Sequence, residues 1–321
     1  MSSISKPKIL ITWPLNPSRF DAYRENFQID VLTNAQNRRE EVLERISGYD
    51  GLLNMTIDVN EEVLEKSTNL KIIANYGVGY DNIDILEAQK RGIAVSNTPQ
   101  STTNPTANHA IGLMLSLMRK ISDHHFRLKT GTLDNWYSRN ELGHSVEGKT
   151  LGIVGMGRIG KAVAKRAHAF GINIIYHNRN QMPSDQEEDL NAKYVNLDIL
   201  LQEADVISIH TPLNPSTKDL ITKKELQMMR PDAFLINTAR GGVINEEDLL
   251  EHLEKERIAG AAIDVFENEP HPNSRFFKLT NAILTPHSGT GTHEARADMM
   301  SEALGNIMAF LSGNEMTSRI V

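Results

Sequence analysis

Short apolar runs alternate with polar and amphipathic stretches along most of the chain. Residues 8–12 (KILIT), 27–32, 51–54, 70–75 (LKIIAN) and 93–96 are brief and rich in Ile, Leu and Val. Most of them do not alternate apolar with polar, which is the pattern of strands covered on both faces. Helical spacing appears between them over 39–46 and 85–90, and the polar stretch between the first two runs has room for a helix. Strands that alternate with helices predict a parallel sheet. From 106 to 119, Ala107, Ala110, Ile111, Met114, Leu115 and Met118 recur at three- and four-residue spacing, predicting an interdomain helix with a strong inward face. The rhythm breaks over 134–148, around Trp136 and Gly143, where a domain boundary is expected. A second series begins there, with strands predicted at 150–155, 173–176, 206–210, 234–237 and 260–265 and a helix at 159–170. That series makes a doubly wound domain. Residues 292–311 are helical again, with Met299, Met300, Ala303, Ile307 and Phe310 on one face.

Composition narrows the class. At ~100–200 residues per domain, 321 residues predict two domains. The absence of cysteine excludes disulfides, thiolate metal sites and a cysteine nucleophile, and it fits a reducing compartment, with the cytoplasm as default. Thirty-four Lys and Arg against 41 Asp and Glu give a net charge of −7, with no basic footprint for nucleic acid. No signal peptide is readable at the N-terminus. No apolar run reaches the ~18 residues of a membrane span, so a soluble protein is expected. His124 and His125 are adjacent on a helix and point apart, with no nearby carboxylate to complete a metal set, so no metal is expected.

The most informative stretch is G-x-G-x-x-G at Gly155, Gly157 and Gly160, with Met156, Arg158 and Ile159 between. The pattern alone is weak, but a β-run ends at its first glycine and a helix opens after its last. Such a turn lets the backbone approach a pyrophosphate, whose charge rests on free N–H groups and the positive end of the helix. NAD sites place an acidic residue at the end of the second strand to hold the ribose. Here that strand ends His177, Asn178, Arg179, with Asn178 and Arg179 expected to contact the cofactor. The carboxylate that would repel a 2′-phosphate is missing and a guanidinium that pairs with one is present, which favours NADP(H) over NAD(H). The alternative is that Arg179 is an ordinary surface charge and both cofactors are accepted. A second pair of glycines, Gly77 and Gly79, lacks the third, and the loop at Val78 and Gly79 suits a substrate carboxylate held by backbone N–H groups.

From about residue 70 onward the chain resembles the D-isomer-specific 2-hydroxyacid dehydrogenases. The resemblance rests on residues 75–84 (NYGVGYDNID), 97–99 (NTP), 237–242 (NTARGG), 264–270 (DVFENEP) and 285–289 (TPHSG). It implies that Arg240, Glu269 and His287 are catalytic, and the chemistry of reducing a 2-keto acid agrees. A planar guanidinium holds a carboxylate while polarising the keto oxygen. The alkoxide left by hydride addition needs a proton near neutral pH, which histidine provides, and a paired glutamate favours its proton-bearing form.

The resemblance further implies cofactor contacts at Thr211, Thr238, Ala239 and Asp264, substrate contacts at Val78 and Gly79, and a homodimer, with Trp136 resembling a residue that reaches the neighbouring subunit. Asn108, where relatives often carry an acid, and Ser288, where an aliphatic residue is common, depart from the pattern and bear on substrate preference. The expected fold is α/β, with two Rossmann-like or flavodoxin-like domains and a cleft between them. Residues 1–100 with 290–321 form a discontinuous substrate domain and 101–289 the dinucleotide domain. The expected activity is NADPH-preferring reduction of a small 2-keto acid, glyoxylate or hydroxypyruvate. The alternatives are a 2-ketogluconate reductase, a phosphoglycerate-dehydrogenase-like enzyme, and, in another class, a non-catalytic dinucleotide-sensing regulator.

Overall fold

The computed structural model describes residues 6–13, 17–32 and 37–321. It divides into two compact units, Met1–Thr102 with Thr292–Val321, and Thr103–Gly291. In the first unit, β1 (Lys8–Ile11), β2 (Gln28–Val31), β3 (Gly51–Asn54), β4 (Ile72–Asn75) and β5 (Ala94–Ser96) form one sheet in the order β2-β1-β3-β4-β5. All its pairings are parallel, in the flavodoxin-like winding. The helices α1 (Arg38–Arg45), α2 (Glu61–Lys66) and α3 (Ile85–Lys90) belong to this unit. The stretch expected to carry a helix before β2 falls partly outside the described residues, and its described part, Pro17–Tyr23, is a 3-10 helix.

Successive strand residues point to opposite faces, and both faces are covered. Leu10, Leu52 and Ile73 pack with Val42, Val63 and Leu64. On the other side Ile9, Ile11, Leu53 and Ile72 pack with Met299, Ala303, Leu304 and Ile307 of the C-terminal helix His293–Leu311. Every residue of β3 and β4 is therefore buried, which explains why neither alternates. The chain end adds to this sheet: Ile320 N–H donates to Val95 O at 2.8 Å and Val95 N–H to Val321 O at 3.2 Å.

The long helix α4 (Pro99–Met118) starts seven residues before the position predicted from apolar spacing. Its first turns, QSTTN, carry no apolar period, so pattern alone reads them as loop. Pro99 starts the helix without an N–H to satisfy. The Glu302 carboxylate then accepts from Gln100 N–H (3.2 Å), Ser101 N–H (2.9 Å) and the Ser101 hydroxyl (2.6 Å). A negative group at the positive end of a helix is stabilising, and this one comes from the other end of the chain.

The second unit contains α5 (Ile121–Thr130), β6 (Thr150–Val154), α6 (Arg158–His168), β7 (Asn173–His177), α7 (Ser184–Asp189), β8 (Ala192–Tyr194) and α8 (Leu197–Glu203). It continues with β9 (Val206–Ile209), α9 (Lys223–Leu226), β10 (Phe234–Asn237), α10 (Glu246–Glu254), β11 (Gly260–Ile263) and β12 (Ala282–Leu284). Its sheet is parallel throughout, in the order β12-β11-β10-β9-β6-β7-β8. The chain winds outward from β6 in one direction and from β9 in the other, so the topological switch lies between them, where ligands bind in such folds. The sequence pattern does not predict β8 and β12, which are edge strands of three residues each. Asn108, which departs from the family pattern, accepts from Arg166 Nε at 2.6 Å, and Asn104 accepts from the same guanidinium at 3.0 Å. These contacts clamp α4 to α6, so Asn108 serves helix packing in this unit.

Gly152 in β6 allows α8 to close on the sheet. A Cβ there would lie 2.6 Å from Leu200 Cδ2 and 2.9 Å from Ala204 Cβ. Gly152→Ala should therefore cost about 1–3 kcal/mol by overpacking. In urea unfolding, the Gly152→Ala/Leu200→Ala double variant should be less destabilised than the sum of the two single variants.

Candidate active site

The glycine turn joins β6 to α6. Gly155 has φ +99°, and a Cβ there would lie 2.7 Å from His210 C at the end of β9. A Cβ on Gly160 would collide with Gly155 O, so a side chain at either position would push the turn apart. A Cβ on Gly157, in contrast, would meet nothing within 4 Å, and α6 begins at Arg158 and Ile159 with no side-chain cap. Open space therefore lies before the positive end of a helix whose first N–H groups need an acceptor. The Oγ1 atoms of Thr211 and Thr238, just beyond β9 and β10, are buried with no hydrogen-bond partner among the described residues. Buried hydroxyls are rarely left unmatched, so these orphans fit a bound polar molecule. The switch point thus suits a dinucleotide.

After β7, Asn178 Oδ1 accepts the Met156 N–H at 2.7 Å. The Asn178 side chain braces the glycine turn, while Arg179 next to it is exposed. Burial pushes the His210 imidazole down to about 4, so it is neutral beside Ser208, 2.8 Å away. Sequence reasoning did not single out His210.

The ends of three adjacent strands carry Arg240, Glu269 and His287. Backbone pairing continues past the strands: Asp264 N–H donates to Asn237 O (2.9 Å), Thr285 N–H to Ile263 O (3.0 Å) and His287 N–H to Asp264 O (2.8 Å). The buried Asn237 side chain shapes the turn that presents Arg240, donating to Arg240 O (3.0 Å) and accepting from Ala239 N–H (3.0 Å). The Arg240 guanidinium donates to Ala239 O at 2.8 Å. His287 Nδ1 donates to Glu269 Oε2 at 2.7 Å, and Glu269 Oε1 accepts the Phe266 N–H at 3.0 Å. Burial would raise the Glu269 carboxyl. The bond from His287, its charge, the Phe266 N–H and the charge of Arg240 together hold it below the ordinary glutamate range. The arrangement is an imidazole fixed by a carboxylate with a guanidinium nearby.

Asp264 is 1% exposed. Its Oδ1 accepts from the Thr285 hydroxyl (2.6 Å) and Ser288 N–H (2.8 Å), with the Ser288 hydroxyl at 3.3 Å, and its Oδ2 accepts from Gly289 N–H (2.9 Å). His109 Nε2 lies 3.3 Å from Oδ1. Burial would raise this carboxyl too, and the bonds from His109, Thr285 and Ser288 bring it below the ordinary aspartate range. His109 was legible only as a polar residue interrupting an apolar helix face.

Val78 and Gly79 lie in the other unit. The carbonyl groups of their loop are occupied: Asn75 Nδ2 donates to Gly79 O (2.6 Å), Asn97 Nδ2 to Val78 O (2.7 Å) and Thr98 N–H to Gly77 O (3.1 Å). The N–H groups of Gly77, Val78 and Gly79 donate to nothing among the described residues. A loop with its acceptors used and its donors open suits an anion. The expectation that no carboxylate approaches His124 needs correction. Glu141, from the segment after α5, comes within 3.5 Å of His124 Nε2, and Asp123 joins the cluster. A guanidinium already occupies it: Arg127 donates to Glu141 at 2.6 and 2.9 Å and to Asp123 at 3.3 Å. Among the described residues, no helix is long and apolar enough to cross a membrane.

Asp264 and Glu269 are both lower in the folded chain than in the unfolded one, so the folded state binds fewer protons in acid. Their stabilisation is fully present above the unfolded range near ~4 and is lost as pH falls through the folded values. The melting temperature should fall below pH ~4, and Asp264→Asn, although less stable at pH 7, should show a shallower fall.

The NAD binding domain of the D-isomer specific 2-hydroxyacid dehydrogenases matches residues 111–289. A glyoxylate reductase of Thermococcus litoralis is 43% identical over 314 residues, covering 96% of this chain and 95% of that protein. The crystal structure of a glyoxylate reductase from Paecilomyes thermophila superposes with a TM-score of 0.88 at 35% identity, covering 99% of each chain. The NADPH-dependent glyoxylate/hydroxypyruvate reductase of Sinorhizobium meliloti, solved with NADP and malonate, gives 0.86 at 30% identity, covering 99% of this chain and 97% of that one. With the glycine turn at the switch point and the paired glutamate and histidine at the strand ends, the chain belongs to the D-isomer specific 2-hydroxyacid dehydrogenases, NAD(P)-dependent oxidoreductases that act on a CH–OH group.

Proposed function

We propose that this enzyme is an NADPH-preferring reductase of small 2-keto acids, glyoxylate or hydroxypyruvate, with His287 as proton donor. The observation that carries the reading is the His287–Glu269 pair at 2.7 Å, whose carboxylate is held ionised beside Arg240. The activities named for the relatives, glyoxylate and hydroxypyruvate reduction, support the substrate size. A bound nicotinamide supplies the hydride that adds to the carbonyl carbon. The residues of the chain do the rest. Arg240 pairs with the substrate carboxylate and polarises the keto oxygen. Glu269 accepts from Nδ1 and leaves the His287 Nε2 proton for the developing alkoxide. Proton transfer from Nε2 to that oxygen completes the hydroxy acid and leaves His287 neutral. In the oxidative direction neutral His287 takes the hydroxyl proton back. In their own unit, the open N–H groups of Val78 and Gly79 suit a carboxylate in this reading.

For the cofactor, Gly155, Gly157, Arg158, Ile159 and Gly160 would hold the pyrophosphate, and Thr211, Thr238 and Ala239 the rest of the dinucleotide. The exposed Arg179 would pair with the 2′-phosphate. The same reading includes a homodimer, supported by the exposed Phe126, Leu128, Trp136, Tyr137 and Leu142 on and after α5.

His287→Ala should lower kcat by about 10²–10⁴-fold and leave NADPH affinity near wild type, measured by steady-state rates and fluorescence titration. Retention of most turnover would remove the donor assignment. Initial rates with glyoxylate, hydroxypyruvate, pyruvate and 2-ketogluconate, each with NADPH and NADH, test substrate and cofactor together. Arg179→Asp should weaken NADPH more than NADH in kcat/KM, because it removes a cation and adds a carboxylate. Equal losses for both cofactors would discard the NADPH preference.

A further inference from the structure

We propose that His109 on α4 is a positioning residue for proton transfer, acting through Thr285 and Asp264 on the turn that carries His287. The inference rests on His287 being the proton donor. His287 has φ +49°, a left-handed conformation that a residue with a Cβ rarely adopts. Such a conformation persists only where its surroundings over-determine it. Here they do so on both sides. The His287 N–H is shared between Asp264 O (2.8 Å) and Thr285 O (3.0 Å). The Asp264 carboxylate binds the Thr285 hydroxyl ahead of His287 and the N–H groups of Ser288 and Gly289 behind it. The turn is thus wrapped around one buried carboxylate.

Hydrogen-bond bookkeeping then assigns the role of His109. The Thr285 hydroxyl has one proton, and the 2.6 Å bond to Asp264 Oδ1 takes it. Towards His109 Nε2, 3.1 Å away, that hydroxyl can only accept, so Nε2 carries a proton and donates. The same N–H faces Asp264 Oδ1 at 3.3 Å. One imidazole donor therefore orients the threonine hydroxyl toward the carboxylate and contributes to the carboxylate's own donor set. Asp264 is 1% exposed, so water is poorly placed to replace a lost donor. Removing the imidazole would let Thr285 rotate and the carboxylate seek another partner. The turn would loosen by a fraction of an ångström, moving Nε2 of His287 relative to the alkoxide. Proton transfer is sensitive to such displacement, whereas dinucleotide binding at the glycine turn is not in this network.

The test uses the full-length enzyme with NADPH and glyoxylate and compares His109→Ala, His109→Gln and His287→Ala for kcat, KM, NADPH affinity and melting temperature. His109→Ala should lower kcat about 10–100-fold with KM and NADPH affinity within about twofold, and His109→Gln, which keeps an N–H donor, should recover most of kcat. Wild-type kcat in His109→Ala, alongside an inactive His287→Ala, would overturn the inference and leave the donor reading standing. Turnover retained in His287→Ala would overturn both. Equal losses of kcat and melting temperature in His109→Ala and His109→Gln would also overturn the inference, since a merely structural role predicts that result. If His109→Ala does not fold, Thr285→Val removes the shared hydroxyl. The same kcat loss without a KM change supports the inference, and wild-type kcat overturns it.

Discussion

Every strand of the larger sheet is parallel, and that constraint decides where chemistry can occur. Parallel strands leave the sheet at one edge, so each βα connection places its first residues there. Gly155 after β6, Thr211 after β9, Thr238 and Arg240 after β10, Asp264 after β11 and His287 after β12 are consequences of one direction of travel. The ladder then continues beyond the strands through Asp264 N–H to Asn237 O and His287 N–H to Asp264 O. Backbone hydrogen bonds thereby extend the order of the sheet into the loops, and side chains as far apart in sequence as Arg240 and His287 are positioned by the same lattice of bonds. Rigid elements hold reacting groups more accurately than free loops do.

Much of this was legible in the sequence because its signals are local. A β-run, G-x-G-x-x-G and a helix occupy one stretch from Leu151 to Ala167, and the physics that links them requires only neighbours. Buried strands declare themselves by consecutive Ile, Leu and Val for the same reason. The misses share the opposite property. The N-terminal turns of α4 depend on Glu302, about two hundred residues away, whose carboxylate meets N–H groups that no periodicity marks. The cluster at His124 depends on Glu141 arriving from the segment after α5. Asn108 looked like a departure bearing on substrate, yet its partner is Arg166 on a packed helix. In each case the deciding partner is distant in sequence and polar, and polar contacts carry no repeating pattern.

The cofactor region shows the same division of labour between backbone and side chain. Asn178 stands where an acidic residue would meet a ribose, but its Oδ1 is committed to the Met156 N–H. The side chain that closes the second strand therefore fixes the first turn. Beyond it, Arg179 is an exposed cation. The absence of a carboxylate at the strand end and the use of Asn178 as a brace are compatible, because an amide oxygen accepts the Met156 N–H without bringing a charge toward a phosphate.

Asp264 and Glu269 lie five residues apart in the segment after β11, and their surroundings set them apart. Asp264 is buried at 1% exposure and surrounded by donors from Thr285, Ser288, Gly289 and His109. A carboxylate so saturated and so far from water is a fixed anchor. Glu269 is 35% exposed, with one oxygen on the Phe266 N–H and the other on His287. The first bond fixes its position while the second leaves it coupled to an imidazole that itself is 46% exposed. Burial acts on both in the same sense, toward protonation, and hydrogen bonding reverses it in both. The weight of the donors separates them. Asp264 takes most of its bonds from backbone N–H groups and hydroxyls, which cannot give up their protons at neutral pH, with the His109 imidazole at 3.3 Å as one donor among several, whereas at Glu269 the side-chain donor is the His287 imidazole itself. The same chemical group is therefore enclosed by donors at Asp264 and, at Glu269, pairs with a half-exposed imidazole, the arrangement that the proposed donor role of His287 requires.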